Sequence, residues 1–169
     1  MRLIILNGPP GVGKSAIAAR LHLDMPGSAL IDIDELRRSI PGYREQRKES
    51  SLLSYQKAKE AIEAHLRDGQ SVIVDKAVSH ADTLDSFVDA GQRLDAEVYE
   101  ILLIADKGVV QERADARGYR PGSLLNRERV GELWEQLDAL KKERAEAVVI
   151  DTSNINLDQV YEKVRSVIA

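Results

Sequence analysis

Eight consecutive residues near the amino terminus have the types and spacing needed to hold a polyphosphate. Residues Gly8 to Ser15, GPPGVGKS, match the G-x-x-x-x-G-K-[ST] phosphate loop in full. Gly8, Gly11 and Gly13 permit backbone conformations that a Cβ would obstruct, so that successive N–H groups can surround an anion. Lys14 would reach the β- and γ-phosphates, and Ser15 would offer its hydroxyl to Mg²⁺. The sequence therefore predicts binding of a nucleoside triphosphate.

The surroundings of this motif distinguish a phosphate loop from a glycine-rich turn that matches by chance. The apolar run Leu3–Leu6 precedes it and is typical of a strand buried on both faces. A helix is expected to begin near Lys14 and to direct its positive N-terminus at the same anion. The predicted nucleotide contacts from this region are Gly8, Pro9, Pro10, Gly11, Val12, Gly13, Lys14, Ser15 and Ala16.

A second group of charged residues follows the next predicted strand, Ser28–Ile33. Asp32 and Asp34 lie two residues apart, so in an extended chain they would project to the same side, at the strand end that faces the ligand crevice in open α/β sheets. Asp34 is the predicted base for an attacking hydroxyl, and Arg37, one helical turn on, is predicted to hold the substrate or the transferring phosphate. The alternative is that the two aspartates are a helix N-cap and its neighbour.

Two arginines stand one turn apart on a later predicted helix, Asp106–Arg117. Arg113 and Arg117 would extend from one face of it, just before a Gly/Pro break, where a lid over approximately residues 113–127 could stabilise charge on the phosphate oxygens. They could instead be exposed residues paired with Glu112 or Asp115. Asp75 ends the predicted strand Ser71–Asp75 and is expected near the phosphate loop, although it could simply terminate that strand.

Apolar and polar segments alternate along the chain as strand, helix, strand, helix. This rhythm predicts one α/β domain over residues 1–169, a three-layer phosphate-loop fold with a five-stranded, mostly parallel sheet. The remaining strands are expected at Val98–Ile104 and Ala147–Asp151. The other predicted helices cover Ala16 to about Met25, about Ser50 to Asp68, and segments beginning near Ser79, near Asn126 and after Asn154.

One long helix and the segment before it are harder to interpret. The helix from about Ser50 is expected to bury a stripe at helical spacing, formed by Leu52, Tyr55, Lys59, Ile62 and Leu66. The preceding polar stretch YREQRKES shows no periodicity and is predicted to be a mobile loop. Its Arg44, Arg47 and Lys48 could meet a substrate or could be solvated.

Composition bounds the classes of function. A net charge of −4 gives no general attraction to nucleic acid, although a locally basic cleft is compatible with it. No apolar run approaches the roughly 20 residues of a membrane span, and no signal-peptide pattern precedes the first strand. The absence of cysteine excludes disulfides and thiolate metal sites and fits a cytoplasmic location.

Two classes of phosphate-loop protein lack support in the sequence. A GTPase would need a guanine-reading N-K-x-D segment after a late strand, and neither Ala105–Gly108 nor Asp151–Asn154 matches it. A motor ATPase would usually end a strand in Asp-Glu, whereas the third predicted strand ends in Asp75-Lys76. Both observations favour phosphoryl transfer to another molecule.

Several segments together resemble a family of small phosphate-loop kinases. This family includes polynucleotide 5′-kinase, chloramphenicol phosphotransferase, gluconate kinase, adenylylsulfate kinase and the zeta toxins. GPPGVGKS resembles their phosphate loop, DIDELRRSI their D-x-x-R segment, and ERADARG their lid segment, while AHLRDGQSVIVD is similar to the helix and strand before their acidic position. The resemblance covers nearly the full length.

The resemblance implies a role for each matching residue. Asp34 would act as the base and Arg37 as the substrate clamp, while Arg113 and Arg117 would contact phosphate and adenine from the lid. Ser15 would supply the Mg²⁺ hydroxyl, and Asp75 would hold that ion through water. Lys76 departs from the pattern, because polynucleotide kinases carry a small hydroxyl residue at that position.

The expected function is an ATP- and Mg²⁺-dependent kinase that phosphorylates a hydroxyl of a small molecule. Substrate contacts are predicted from Asp32, Asp34, Arg37 and Asp75. A 5′-hydroxyl of RNA or DNA is the rival acceptor, disfavoured by the acidic balance and the 4% aromatic content. A nucleotide-dependent regulatory or toxin-like protein is the alternative of another class. No membrane partner is expected, and the sequence leaves the oligomeric state open.

Overall fold

The computed structural model describes residues 1–119, 121 and 123–169. Strands and helices alternate along the chain almost throughout. In chain order the elements are β1 (Arg2–Asn7), α1 (Lys14–Asp24), β2 (Ala29–Asp32), α2 (Ile33–Arg38), α3 (Arg47–Arg67), β3 (Val72–Asp75), α4 (Ala81–Arg93), β4 (Glu97–Ile104), α5 (Lys107–Arg117), α6 (Arg127–Lys141), β5 (Val148–Asp151) and α7 (Leu157–Val167).

The five strands form one sheet in the order β2-β3-β1-β4-β5, and each neighbouring pair is parallel. The predicted α/β fold with a five-stranded sheet is therefore confirmed. In the register of the sheet, Asp75 of β3 lies beside Leu6 of β1 on one side and Asp32 of β2 on the other. Parallel strands end at the same edge, so this register brings the acidic strand ends next to the phosphate loop.

Helices cover both faces of the sheet, which explains the continuous apolar run in β1. Ile4 and Leu6 pack on one face with α1, α5 and α7, and Leu3 and Ile5 pack on the other with α3 and α4. All four of these side chains are buried. A strand buried on both sides fixes the start of the phosphate loop rigidly in the middle of the molecule.

The structure corrects the expected geometry of the Asp32–Asp34 segment. β2 ends at Asp32, and α2 begins at Ile33, so the two aspartates are not successive same-side residues of an extended strand. The side chain of Asp32 accepts a hydrogen bond from the backbone N–H of Glu35 at 3.1 Å and caps α2. Asp34 consequently lies in the first turn of a helix.

The predicted stripe of α3 is wrong in its first half. The helix begins at Arg47, within the stretch predicted as a mobile loop, and its buried residues are Ser50, Ser54, Ala58, Ile62 and Leu66. Leu52 is 60% exposed. Small side chains occupy the buried positions of the first turns, and the hydroxyl of Ser54 donates to the carbonyl of Ser51 at 2.7 Å, so its burial leaves no polar group unpaired.

The carboxy-terminal helices follow the sequence pattern more closely. α6 begins at Arg127, close to the expected start near Asn126, and Asn126 caps it by accepting a hydrogen bond from Arg129 N–H at 2.8 Å. In α7, Val160, Tyr161 and Val164 are buried, whereas Leu157 in the first turn is 46% exposed. Among the described residues, no helix combines the length and the apolar character required to cross a bilayer.

Candidate active site

The phosphate loop connects the end of β1 to the start of α1 at the carboxyl edge of the sheet. Gly8 has a φ of +144°, and a Cβ there would lie 2.1 Å from the carbonyl oxygen of Leu103 on β4. Only glycine fits that position, because the loop backbone passes directly against the neighbouring strand. Gly13 caps α1 in the left-handed region with a φ of +95°. The loop therefore has the backbone that its three glycines predicted.

Buried Asn7 fixes the entrance of this loop. Its Oδ1 accepts hydrogen bonds from the N–H groups of Gly8 and Val78, both at 2.8 Å, and its Nδ2 donates to the carbonyl of Val78 at 2.9 Å. One side chain thus joins the phosphate loop to the segment that follows β3. The sequence analysis missed this residue, although an asparagine at the end of an apolar strand, directly before the first loop glycine, was a visible signal.

Lys14 lies under the loop and is buried. Its Nζ donates to the carbonyl of Pro9 at 3.0 Å. Burial lowers the pKa of Lys14, and the negative charges of Asp75 and Asp34 only partly oppose that effect. Both carboxylates are therefore close enough to Lys14 to act on it electrostatically.

The other residues of the loop that are predicted to contact the nucleotide differ in how far they are buried. Val12 is buried in the core beside β1, so its backbone rather than its side chain faces the loop interior. Pro10 lines the adjacent cavity, and Ser15 and Ala16 are exposed in the first turn of α1. Nucleotide contact by these residues stays a prediction.

Ser15 and Asp75 form the donor pair on which a divalent cation could bind. Asp75 is buried at the end of β3, and burial raises the pKa of its carboxyl, while Lys14 and the Ser15 hydroxyl lower it. The described residues contain no group of three or more His, Cys, Asp or Glu side chains arranged for a metal. One hydroxyl and one carboxylate fit Mg²⁺, which usually keeps several waters and takes its other ligands from substrate phosphates.

Asp34 faces the same region from the start of α2 and is paired with Lys76. The ammonium of Lys76 donates to Oδ1 of Asp34, and 54% of the Asp34 side chain is open to solvent. The surrounding protein raises the pKa of Asp34 by desolvation, but the charge and hydrogen bond of Lys76, with Lys14 and Arg38, outweigh it, so that the pKa lies below its usual range. The carboxylate is consequently kept ionised, as a proton acceptor must be.

Arg37 is held between α2 and α3 by neutral partners. Its Nε donates to the hydroxyl of Ser50 at 3.1 Å, and a second guanidinium nitrogen donates to the carbonyl of Arg47. Arg37 also lines the cavity that Asp34 faces. The predicted substrate residues Asp34 and Arg37 are thus brought together, whereas Asp32 serves the helix cap, and its contact with substrate stays a prediction.

The two arginines of α5 have different surroundings. Arg113 donates to the hydroxyl and carbonyl oxygens of Thr152, at 3.1 and 2.8 Å, and so fastens α5 to the loop after β5. Arg117 is exposed at the end of α5, a helix that passes beside the phosphate loop, since a Cβ on Gly11 would lie 3.0 Å from the carbonyl oxygen of Val110 and 3.4 Å from Cβ of Arg113. The proposed lid, approximately residues 113–127, includes Arg120 and Gly122, which lie outside the described residues, and its contacts with a nucleotide stay a prediction.

A cavity of about 390 Å³ opens beside the phosphate loop, between α2, α3, the segment after β3, and α6. Its lining includes Pro10 of the phosphate loop, Asp34 and Lys76, together with Tyr43, Tyr55 and Arg129. His80, which the sequence left without a role, also lines it. A nucleotide on the phosphate loop and a second small molecule in this cavity would meet at Asp34.

Comparison with known proteins identifies the family. The sequence profile described as AAA domain matches residues 3–140, most of the chain. The chain belongs to the AAA domain family. No sequence in a search of curated proteins matches it.

The fold of this AAA domain is that of small phosphate-loop kinases. It resembles a gluconokinase from Sinorhizobium meliloti 1021 (TM-score 0.71, 17% identity, 98% of this chain and 93% of that chain covered). It also resembles a sugar kinase from Janibacter sp. HTCC2649 (TM-score 0.71, 18% identity, 99% and 94% covered). A tunicamycin resistance protein from Deinococcus radiodurans gives a TM-score of 0.67 at 22% identity, with 98% and 94% covered. The predicted kinase fold is therefore confirmed.

Proposed function

We propose that this AAA domain is an ATP- and Mg²⁺-dependent kinase that transfers the γ-phosphoryl group to a hydroxyl of a small molecule. One observation carries the proposal. The phosphate loop, with its buried Lys14, and the carboxylate of Asp34 border one cleft, because Pro10 of the loop and Asp34 line the same cavity. Anion binding and proton acceptance at adjacent points are what phosphoryl transfer to an alcohol requires.

The proposed reaction uses these groups in a simple order. The acceptor hydroxyl gives its proton to the Asp34 carboxylate as its oxygen forms a bond to the γ-phosphorus. The bond from that phosphorus to the β–γ bridging oxygen breaks, and ADP leaves with the electron pair. Lys14 and the backbone N–H groups of the loop offset the negative charge on the phosphates throughout.

Ser15 and Asp75 are the residues that would hold Mg²⁺. When bound there, the ion would neutralise charge on the β- and γ-phosphates. Arg117, exposed near the phosphate loop, is proposed to add positive charge over the transferring group, in keeping with the resemblance of its segment to a kinase lid. The absence of an N-K-x-D segment from the sequence favours ATP over GTP.

The size of the cavity supports a small acceptor. About 390 Å³ falls at the lower end of volumes typical for small-molecule sites. Asp34 in the cavity wall would meet the acceptor's hydroxyl, while the other lining residues would hold the rest of the molecule. A 5′-hydroxyl oligonucleotide is the competing acceptor. Binding of such an oligonucleotide that weakens steeply as the salt concentration rises would favour this alternative.

The test is ADP release with a panel of hydroxyl compounds and 5′-hydroxyl oligonucleotides, against a background without acceptor. For an acceptor found in this way, Asp34→Asn is expected to lower kcat by about 100-fold or more, since it removes the proton acceptor. Its affinity for ATP should stay close to that of the original protein. Lys14→Ala should instead weaken ATP binding itself.

Glu35→Gln is the matched control, because Glu35 is the exposed neighbour of Asp34 on the same helix. It should retain activity. Unchanged turnover in Asp34→Asn would contradict the assignment of the base. Nucleotide-stabilised capture of a protein partner, with no phosphorylated acceptor, would favour the regulatory alternative.

A further inference from the structure

The cavity next to the phosphate loop is strongly basic in a chain that is acidic overall. Five of its described lining residues are cationic and one is anionic, whereas the chain carries a net charge of −4. The cationic residues are Arg37, Arg38, Arg44, Lys76 and Arg129, and the anionic residue is Asp34. A concave site lined by one sign of charge concentrates ligands of the opposite sign.

Three of these cations are paired with carboxylates. Lys76 pairs with Asp34, Arg129 with Glu132 at 2.7 Å, and Arg38 approaches Asp32 at 3.9 Å. For Arg37 and Arg44, no carboxylate lies within 4.0 Å among residues 1–119, 121 and 123–169. Two guanidinium charges in the cavity are thus left without a counter-charge from the described part of the chain.

Both of these arginines are nevertheless held in place. Arg37 donates to the hydroxyl of Ser50 and to the carbonyl of Arg47, and Ser50 Oγ in turn donates to the carbonyl of Tyr43 at 3.1 Å. Arg47 Nε donates to the carbonyl of Arg44 at 3.3 Å. Ser50, only 2% exposed, is the centre of this network. These hydrogen bonds hold the 43–50 segment against α2. Because the groups that accept from Arg37 are neutral, they orient its guanidinium without cancelling its charge.

Within the described part of the chain, the terminal guanidinium nitrogens of Arg44 make no hydrogen bond. Its Nε donates to the hydroxyl of Tyr43 at 3.0 Å, and its guanidinium stands 5.4 Å from the centre of that ring. The tyrosine therefore positions the group without neutralising it. An oriented guanidinium matches the oxygens of a carboxylate or a phosphate in a bidentate arrangement.

We propose that the acceptor carries an anionic oxyacid group, a carboxylate or a phosphate, in addition to its hydroxyl, and that Arg44 and Arg37 bind this group. The inference rests on the proposed function, because it names the substrate class of the same cleft. The reactive hydroxyl would lie at Asp34, and the anionic group at the part of the wall formed by α2 and the 43–50 segment. Tyr55 and Leu133, which also line the cavity, would pack against the carbon skeleton.

Matched pairs of acceptors that differ only in the anionic group test this inference. Gluconate is compared with glucitol, the open-chain alcohol with a neutral CH2OH in place of the carboxylate, glucose 6-phosphate with glucose, and adenosine 3′-monophosphate with adenosine, each by ADP release. At least one charged member should exceed its neutral partner about 10-fold or more in kcat/KM. The pairs distinguish a carboxylate from a phosphate. Equal kcat/KM for the charged and neutral members of every active pair would overturn the proposal.

Arg44→Gln is the variant that isolates the anion site. For the preferred acceptor, its KM should rise about 10-fold or more while kcat and the KM for ATP change little. Arg165→Gln is the matched control, since Arg165 also stands over a tyrosine ring, that of Tyr161 at 6.0 Å, but lies outside the cavity. It should behave like the original protein. An Arg44→Gln variant that keeps the full preference for the charged member would also overturn the proposal.

Calorimetric titration of the same compounds separates this inference from the proposed function. If no compound raises ADP release, yet a charged member binds and Arg44→Gln removes that binding, the kinase proposal fails and the anion site stands. If neutral alcohols are phosphorylated and the charged members neither bind nor react, the kinase proposal stands and the anion site is refuted. If no charged member shows saturable binding or turnover, the anion site is likewise refuted.

Discussion

At the scale of single residues, the site depends on which charges face Asp34. Its carboxylate is paired with Lys76 and also interacts electrostatically with Lys14 and Arg38. The effects of these three cations outweigh the desolvation that would otherwise raise the pKa of Asp34. Asp75 is the nearby acid, and its own pKa is raised because burial outweighs the effects of Lys14 and Ser15. Two carboxylates at the same edge of the sheet thus differ in pKa because they have different partners and different burial.

The Lys76→Met variant should raise the pKa of Asp34. Lys76 is the largest of the effects that lower this pKa, and its removal leaves desolvation opposed only by Lys14 and Arg38. Asp34 would then stay protonated up to a higher pH. It could therefore accept a proton only above a higher pH than in the original protein. The measurement is an NMR titration of the side-chain carboxyl carbon, assigned with Asp34→Asn, which requires no acceptor.

Lys76→Arg is the control for that titration, because it keeps a positive charge beside Asp34. Its titration should resemble that of the original protein more closely than that of Lys76→Met. If the titration midpoint of Asp34 is the same in the original protein and in Lys76→Met, the ion pair does not set the protonation of the carboxylate.

At the scale of elements, the close approach of helices to the sheet determines how the strand ends are aligned. α4 packs against β1 and β4 through Leu84, Phe87 and Gly91, all of them buried. A Cβ on Gly91 would lie 2.7 Å from Cγ2 of Val98 and 2.8 Å from Cδ2 of Leu3. The helix can lie this close to the sheet only because a glycine faces two strands.

Gly91→Ala should destabilise the fold by about 2 kcal/mol, the usual scale for an overpacked core position. Gly108→Ala is the matched control, because Gly108 also lies in a helix and an added Cβ there would meet nothing within 4 Å. It should be neutral or stabilising by up to about 1 kcal/mol, since alanine favours helix over glycine. Urea unfolding of both variants measures the difference. An equally stable Gly91→Ala protein would mean that α4 can shift away from the sheet at little cost.

At the scale of the whole molecule, one ion cluster, with a largely buried Arg144–Glu100 pair and an exposed Asp85, connects three parts of the chain. Arg144, just before β5, contacts both oxygens of Glu100 on β4, with nitrogen–oxygen distances of 3.0 and 2.6 Å, and it also pairs with Asp85 on α4. The side chains of Arg144 and Glu100 are only 13% and 9% exposed. The hydrogen bond from Arg144 to Glu100 raises the pKa of the Arg144 guanidinium above its usual value.

Arg144→Met should lower the free energy of unfolding by about 3 kcal/mol, because it leaves Glu100 charged and buried without a partner. A second change, Glu100→Gln in the same protein, should recover part of that loss. Arg67→Gln breaks an exposed pair with Glu63 within α3 and should cost about 0.5 kcal/mol or less. A loss for Arg144→Met no larger than that for Arg67→Gln would show that the cluster contributes little to stability.

Local sequence patterns specified the phosphate loop, the alternation of strands and helices, and the start of α6 near Asn126, because each depends on backbone geometry within a few residues. The same local rules gave the wrong answer where one short segment is compatible with two different structures. Asp32 could continue a strand or cap a helix, and the contact with Glu35 N–H decides for the cap. At the start of α3, the apolar Leu52 faces solvent, since small Ser50 and Ser54 allow the helix to lie close to its neighbours.

The amino-acid sequence by itself determined that this chain would build a nucleotide-binding α/β domain around residues 8–15, because that motif carries its own backbone requirements. Only the tertiary structure decided which charges meet in the cleft. Lys76 is 42 residues from Asp34, and Arg113 is 39 residues from Thr152. These contacts follow from the strand order β2-β3-β1-β4-β5, which places chain-distant strand ends side by side, and no periodicity or spacing along the sequence encodes that order.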